Sequence, residues 1–284
     1  MSADTTFSSW ENAVAWLRMQ PDQAQLVADC YYDDPLIGAA DRYWHGEEWQ
    51  AVRTVLNGRS GRALDVGAGR GIASYALARE GLSVTALEPD PSDLVGAAAI
   101  RALAAEANLP IQVVEEISER LPFADGTFDL IFARAVLHHT RDLEAACREF
   151  FRVLRPGGLF MAIREHVIST PGDLPRFLDQ HPLHRLYGGE HAFLLTQYIA
   201  ALEGASFVKL NVISPWHSPM NFAPYSLDSL KTELARRAGL RIPGLDRVMR
   251  IFLGLPGMWL LSRWALQWVD HRPGRLYSFV AEKR

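Results

Sequence analysis

Two sets of residues in this chain have types and spacing suited to chemistry. The first is Leu64-Asp-Val-Gly-Ala-Gly-Arg-Gly71, an apolar run that closes in alternating glycines. Glycines at a strand end let the backbone turn sharply and let a ligand approach it closely. The spacing Gly67, Gly69, Gly71, with Ile72 next, departs from the dinucleotide fingerprint, and no lysine completes a triphosphate loop. Glu88 closes a second apolar run. A carboxylate there can accept both hydroxyls of a ribose, each charge-assisted bond contributing about 1.5–3 kcal/mol. An adenosine-bearing ligand without a pyrophosphate fits both features. The second set is rich in histidine: His138 and His139, then Arg164-Glu-His166, then His181, His184, Glu190 and His191. An imidazole titrates near neutral pH, so His166 is the first candidate for a general base and His139 the second. Neighbours on an extended chain point opposite ways, which makes Glu165 a poor partner for His166.

The elements that must hold these residues follow from hydrophobic patterning. Residues 8–60 read as helices. From residue 62 strands and helices alternate, with strands at 63–66, 83–87, 111–114, 128–133 and 159–163 and helices at 71–80, 91–107 and 142–154. A helix over 191–202 and strands over 207–213 and 276–281 follow. Repeated strand–helix units imply an α/β fold: a doubly wound, Rossmann-like, mostly parallel sheet of seven strands. Three parts are expected. They are a helical N-terminal cap over 1–60, a core over 61–213 plus 275–284, and a helical insertion over 214–274 between the last two strands. Open sheets of this kind bind ligands beyond the carboxyl ends of their strands, where 134–139 and 164–166 lie.

With those motifs in place, the chain resembles the class I S-adenosylmethionine-dependent methyltransferases. Asp65-Val-Gly-Ala-Gly-Arg-Gly71 looks like their first motif, and Glu88 falls on their ribose-binding acid. Leu121-Pro-Phe-Ala-Asp-Gly-Thr-Phe-Asp129 followed by Val136-Leu-His-His139 looks like the stretch around their fourth strand. Leu154-Arg-Pro-Gly-Gly158 resembles the turn into their fifth. The resemblance covers about 62–164 and the two late strands. It implies S-adenosylmethionine as cofactor and S-adenosylhomocysteine as product. Asp65, Gly67, Ala68, Gly69 and Gly71 would hold the methionine part, Glu88 the ribose, Pro89 the adenine, and the Ala133 carbonyl the amino group. The family's adenine-binding acid is replaced by Ile117, so Glu116 or the Ile117 backbone would substitute.

Arg134, His138, Arg164, Glu165, His181, His184 and Glu190 are then the expected acceptor-binding residues. Two histidines and a carboxylate could in principle bind a divalent metal, but no Asp pair follows the fourth strand and no metal is expected. The reaction expected is O-methylation of a polar or sugar-like small molecule in biosynthesis. N- or C-methylation of a metabolite or membrane-associated quinone is the enzymatic alternative. A non-catalytic binding subunit on the same fold is the alternative outside enzymes.

Composition narrows the class further. The chain has 284 residues, 49% of them hydrophobic and 22% charged, which is an ordinary globular balance. Cys30 and Cys147 are its only cysteines, which excludes a disulfide scaffold and a zinc-finger-type site. The N-terminal residues lack a basic segment followed by an apolar run, so a cytoplasmic location is expected. A net charge of −4 argues against nucleic acid as partner. That charge is divided unevenly: residues 1–230 hold 18 Lys and Arg against 29 Asp and Glu, and 231–284 hold 11 against 4. The basic end includes the apolar stretch 251–269, which Pro256, Gly257 and Arg263 disqualify as a membrane span. It reads as a lid packed on the body, with peripheral membrane or homodimer contact through 241–272 as the alternatives.

Overall fold

The computed structural model describes residues 7, 9–180, 183–184, 190–222 and 224–284. His181 lies outside them. The N-terminal helices are α1 (Trp10–Arg18), α2 (Ala24–Asp29), α3 (Leu36–His45) and α4 (Glu47–Leu56). Alternation then begins: β1 (Arg62–Val66), α5 (Ile72–Arg79), β2 (Ser83–Leu87), α6 (Ala97–Ala107), β3 (Ile111–Val114), β4 (Phe128–Arg134), α7 (Leu143–Val153) and β5 (Leu154–Ile168). The rest comprises α8 (Leu174–Leu178), β6 (Phe193–Leu194), α9 (Leu195–Gly204), β7 (Val208–Ile213), α10 (Leu227–Arg241), α11 (Leu245–Gly254), α12 (Met258–Val269) and β8 (Arg275–Glu282).

The strand order is β3-β2-β1-β4-β5-β8-β7, with the two-residue β6 beside β5. The first five strands run parallel, and β8 is antiparallel to both β5 and β7. This is the expected α/β architecture. Its core has two sides. One face of the sheet packs Phe128, Phe160, Ala162 and Phe279 against α7 and α9. The other packs Phe132, Met161 and Ile163 against Trp49, Val52 and Leu77 of α4 and α5. On α7 the stripe Leu143, Ala146, Cys147, Phe150 and Val153 is buried, as an amphipathic helix on a sheet requires.

The sixth helix is shorter than the pattern suggests. It starts at Ala97, because the Asp90 carbonyl receives the Ala97 N–H and Ser92 bonds the Asp90 side chain. A Cβ at Gly96 would lie 2.1 Å from the Asp90 oxygen, so glycine is needed there. The fifth strand is longer than expected and is irregular opposite β8 between Ala162 and Glu165. Arg164 sits in that irregularity at φ +63°, and Ala135 at the end of β4 has φ +57°. Left-handed conformations in non-glycine residues concentrate at functional sites. Both positions lie at the carboxyl edge of the sheet, where ligands bind in this fold.

The insertion leaves that same edge. β8 begins opposite Val167, at the end of β5. The insertion packs through one side only: Leu230 of α10 and Trp259 and Leu266 of α12 meet Trp216 and Phe222. Leu253 is the single buried residue of α11, and α12 has none.

Candidate active site

A cleft of about 640 Å³ opens at the ends of β1, β2, β4 and β5. One wall is built from backbone. Gly67, Gly69 and Gly71 take φ of +59°, +55° and +83°, a region L side chains seldom adopt. A Cβ at Gly67 would lie 2.8 Å from Val136, and one at Gly71 3.1 Å from Ile100. At Gly69 it would meet nothing nearer than the Val95 carbonyl at 4.0 Å, so the missing side chain leaves open space in the cleft wall. The Ala68 N–H bonds the Leu87 carbonyl at 3.0 Å, tying the loop to β2.

Two carboxylates face this loop. Glu88 accepts from the Gly69 N–H at 2.7 Å and the Asp90 N–H at 3.0 Å. Burial outweighs those bonds and pushes its carboxyl up to about 7. Burial also pushes Asp65 up to about 7, although the Ser74 hydroxyl donates to it at 2.6 Å. Buried carboxylates with raised pKa values in a cleft gain from a ligand that brings hydroxyls and positive charge. S-adenosylmethionine has both, so the residues present fit it: Glu88 for the ribose and Asp65 with the loop for the cationic amino acid end.

The rest of the expected cofactor set is placed around the same wall. Pro89, Glu116 and Ile117 line the cleft, and Ile117 is 50% exposed. Gly71 caps α5 and Ala133 is fully buried one residue short of the lining Arg134. The N-terminal helices close over the loop. Arg70 donates to the carbonyls of Tyr31 and Asp33 and to the Asp34 carboxylate. Tyr31, Tyr32 and Cys30 thereby join the lining.

The other wall is made of side chains. His138 is 1% exposed at its side chain and is held between two carboxylates, Nδ1 2.7 Å from Glu165 and Nε2 3.2 Å from Glu190. Burial opposes its charge, but the two acids prevail and raise it to about 9. Glu190 is also drawn toward His139 (3.7 Å) and His184 (3.6 Å). Burial alone would raise Glu190, yet these histidines hold it below the usual carboxylate range. His138, His139 and Glu190 bring ligand-type atoms within 4.8 Å of one another, as do His166, His184 and Glu190. His138 Nε2 lies 3.2 Å from Glu190, and the two acids that raise its pKa favour the charged ring, so the cluster holds a buried ion pair.

His166 lies at its edge. Its ring centre is 4.7 Å from that of His138 and 4.8 Å from Phe177. Its Nδ1 is 3.1 Å from the Gly274 carbonyl oxygen. A carbonyl only accepts, so Nδ1 carries the hydrogen and Nε2 of the neutral ring is a bare acceptor. Burial, reinforced by the charged His138, lowers the His166 pKa well below its usual value. The ring is therefore neutral at pH 7. Gly274 has φ +78°, and a Cβ there would lie 2.5 Å from Phe177, so the segment that orients His166 needs glycine.

One acceptor-side expectation changes. Glu165 is fully buried and does not line the cleft. It accepts from the Val136 and His138 N–H groups and from the His138 ring, so it positions β4's end instead of meeting an acceptor. Arg134 and Arg164 line the cleft but both donate to Glu48, which is 4% exposed. Burial would raise Glu48, and the two guanidiniums overcome it and hold its pKa down. Glu48 and the Gly274 carbonyl were not legible as site residues. Glu48 sits in an ordinary amphipathic helix, and a carbonyl leaves no mark on residue type.

Comparison with known proteins accords with this arrangement. Residues 64–162 match the family model described as a methyltransferase domain. A ubiquinone biosynthesis O-methyltransferase of Methylobacterium nodulans is 38% identical over 99 residues, covering 35% of this chain and 39% of that protein. A ubiquinone/menaquinone biosynthesis C-methyltransferase of Nitrobacter hamburgensis is 28% identical over 166 residues, covering 56% of this chain and 65% of that protein. The chain thus spans about two fifths of the length of the first of these relatives. Among solved structures, a Haemonchus contortus phosphoethanolamine N-methyltransferase superposes with a TM-score of 0.58 at 16% identity, covering 98% of this chain and 60% of that one. That likeness concerns the fold. Glycine loop, acidic strand end, strand order and the family match over 64–162 all agree with a class I S-adenosylmethionine-dependent methyltransferase core. S-adenosylmethionine is the cofactor of that class.

Proposed function

We propose that this protein transfers a methyl group from S-adenosylmethionine to a small-molecule acceptor, by O-methylation of a polar or sugar-like metabolite. The observation that carries the reading is that one continuous cleft holds both the glycine loop with Glu88 and the neutral His166. Bound S-adenosylmethionine supplies an electrophilic methyl on a sulfonium and departs as S-adenosylhomocysteine. The chain's own task is to align an acceptor oxygen in line with that methyl and to remove its proton. His166 Nε2 takes the proton as the oxygen–carbon bond forms. Gly274 keeps the accepting nitrogen turned away from its carbonyl. Burial, and after it the charged His138, keep the resting imidazole neutral. Carbon methylation of a quinone-like acceptor is the second reading, favoured by the name of the relative matched over the longer stretch.

His166→Ala tests the proposal. With a turning-over acceptor, kcat should fall about 10²–10⁴-fold while S-adenosylmethionine affinity stays within about twofold. An unchanged kcat at saturating acceptor would remove His166 from the chemistry. A wild-type protein that binds S-adenosylmethionine but methylates none of a broad acceptor panel would favour the binding-subunit reading.

A further inference from the structure

Helices α11 and α12 turn their apolar stripes away from the body. Val248, Ile251, Phe252 and Leu255 follow one another at the spacing of a single helix face, and all are exposed. Leu261, Trp264 and Trp268 form the same stripe on α12, with Trp264 64% and Trp268 69% exposed. The opposite side of α12 is the one that packs: Trp259 and Leu266 rest against Trp216, Phe222 and Leu230. Apart from Met19 and Ile117, every large apolar side chain exposed among the described residues falls in 240–269. The two tryptophans alone leave on the order of 200–300 Å² of aromatic surface in water. Patches of this kind mark interaction sites.

Charge decides the partner. Residues 241–269 contain Arg241, Arg247, Arg250 and Arg263 against one acid, Asp246. None of the four arginines forms an ion pair among the described residues, whereas Arg236 and Arg237 on α10 are paired with Glu233. A two-fold contact between copies would set this basic face against itself. An anionic surface matches it and would repel the acidic body, orienting the molecule. No described helix is long and apolar enough to cross a membrane. The chain also breaks between the two helices at Gly257, with φ +78°. Short amphipathic helices with Trp and Leu on one face and Arg at its border lie in the plane of an interface.

We propose that the outward faces of α11 and α12 dock on an anionic lipid bilayer. The insertion returns to the sheet through Gly274, whose carbonyl meets His166, so the docking helices are joined to the segment that orients this residue. Co-sedimentation of the full chain with vesicles tests this, and it reads binding independently of methyl transfer. The protein should sediment with phosphatidylcholine vesicles containing phosphatidylglycerol at low salt, and be released by high salt. Trp264→Ser/Trp268→Ser should weaken partitioning at least about tenfold, and each of Arg247→Gln and Arg250→Gln about fivefold. The two tryptophans touch only each other among the aromatic rings and stay largely exposed, and neither arginine forms an ion pair among the described residues, so melting temperatures should move little. Absence of sedimentation at low salt, or sedimentation that the tryptophan variant retains, overturns the proposal. So does a lipid-free wild type that runs as a dimer and becomes monomeric in the tryptophan variant, since a second copy would then cover the face.

Discussion

The cofactor half of the cleft comes from one strand–helix–strand unit, Asp65 to Asp90, and presents mainly backbone. The acceptor half draws on segments as far apart as Glu48, His138, His166, Glu190 and Gly274, and presents side chains held by ion pairs. The two halves should therefore fail differently. A backbone-built wall survives most substitutions outside its glycines and its acid. A wall of interlocked charges transmits the loss of one member to the fold, because the partner is left buried and uncompensated.

Glu165 gives the largest test of that contrast. It has no place in the cleft, yet it satisfies two backbone N–H groups and the His138 ring. Glu165→Ala should cost about 3–5 kcal/mol in stability, read from denaturant unfolding. Glu165→Gln, which keeps an acceptor oxygen, should cost clearly less. If the Ala variant unfolds at the wild-type midpoint, the network does not hold the acceptor half together.

Glu88 tests the other half. Among the described residues its carboxylate bonds two backbone N–H groups and no charged side chain, so removing it strands no buried cation, as removing Glu165 strands His138. Glu88→Ala should lower S-adenosylmethionine affinity about ten- to hundredfold, from the loss of about 1.5–3 kcal/mol of hydroxyl contacts. Gly69→Val, which places a branched side chain in the open space beside the loop, should lower it by at least as much. Calorimetry that returns wild-type affinity for both variants would show that the cofactor lies elsewhere.

The same contrast explains what the sequence makes legible. The glycine loop and Glu88 are readable because a local unit needs particular residue types at fixed spacing. The parallel sheet follows from strand–helix alternation, and the buried stripe on α7 from its helical period. The acceptor half is readable only as a collection of candidates. His138 and Glu165 are 27 residues apart, and nothing in their spacing tells that they meet. Alternation along a strand does separate Glu165 from His166. It gives no hint that Glu165 turns to His138, because the irregularity at Arg164 is not written in a pattern. In 245–269 the apolar period is clear, but period alone does not tell an inward stripe from an outward one.

The smallest effect, and the sharpest on the cofactor half, is pH dependence. In the unliganded cleft Asp65 and Glu88 both titrate near 7, against ordinary values of 3.8 and 4.5, with burial the main cause. A raised folded-state pKa means that the folded protein holds extra protons between about pH 4 and 7. The stability these two groups contribute is full below their unfolded values and is lost as pH rises through 7. A cationic ligand acts in the opposite sense, favouring the ionised carboxylates and releasing their protons on binding. S-adenosylmethionine affinity should therefore rise about three- to tenfold from pH 6 to pH 8, and the thermal shift it gives should grow over the same interval. Glu88→Gln should flatten part of that rise and leave the part due to Asp65. The acceptor half supplies an internal control, because His138 titrates near 9 and stays charged through most of this window. Equal affinity at the two pH values would mean that the cofactor's positive charge does not rest against these carboxylates, and the orientation proposed for it would have to be reversed.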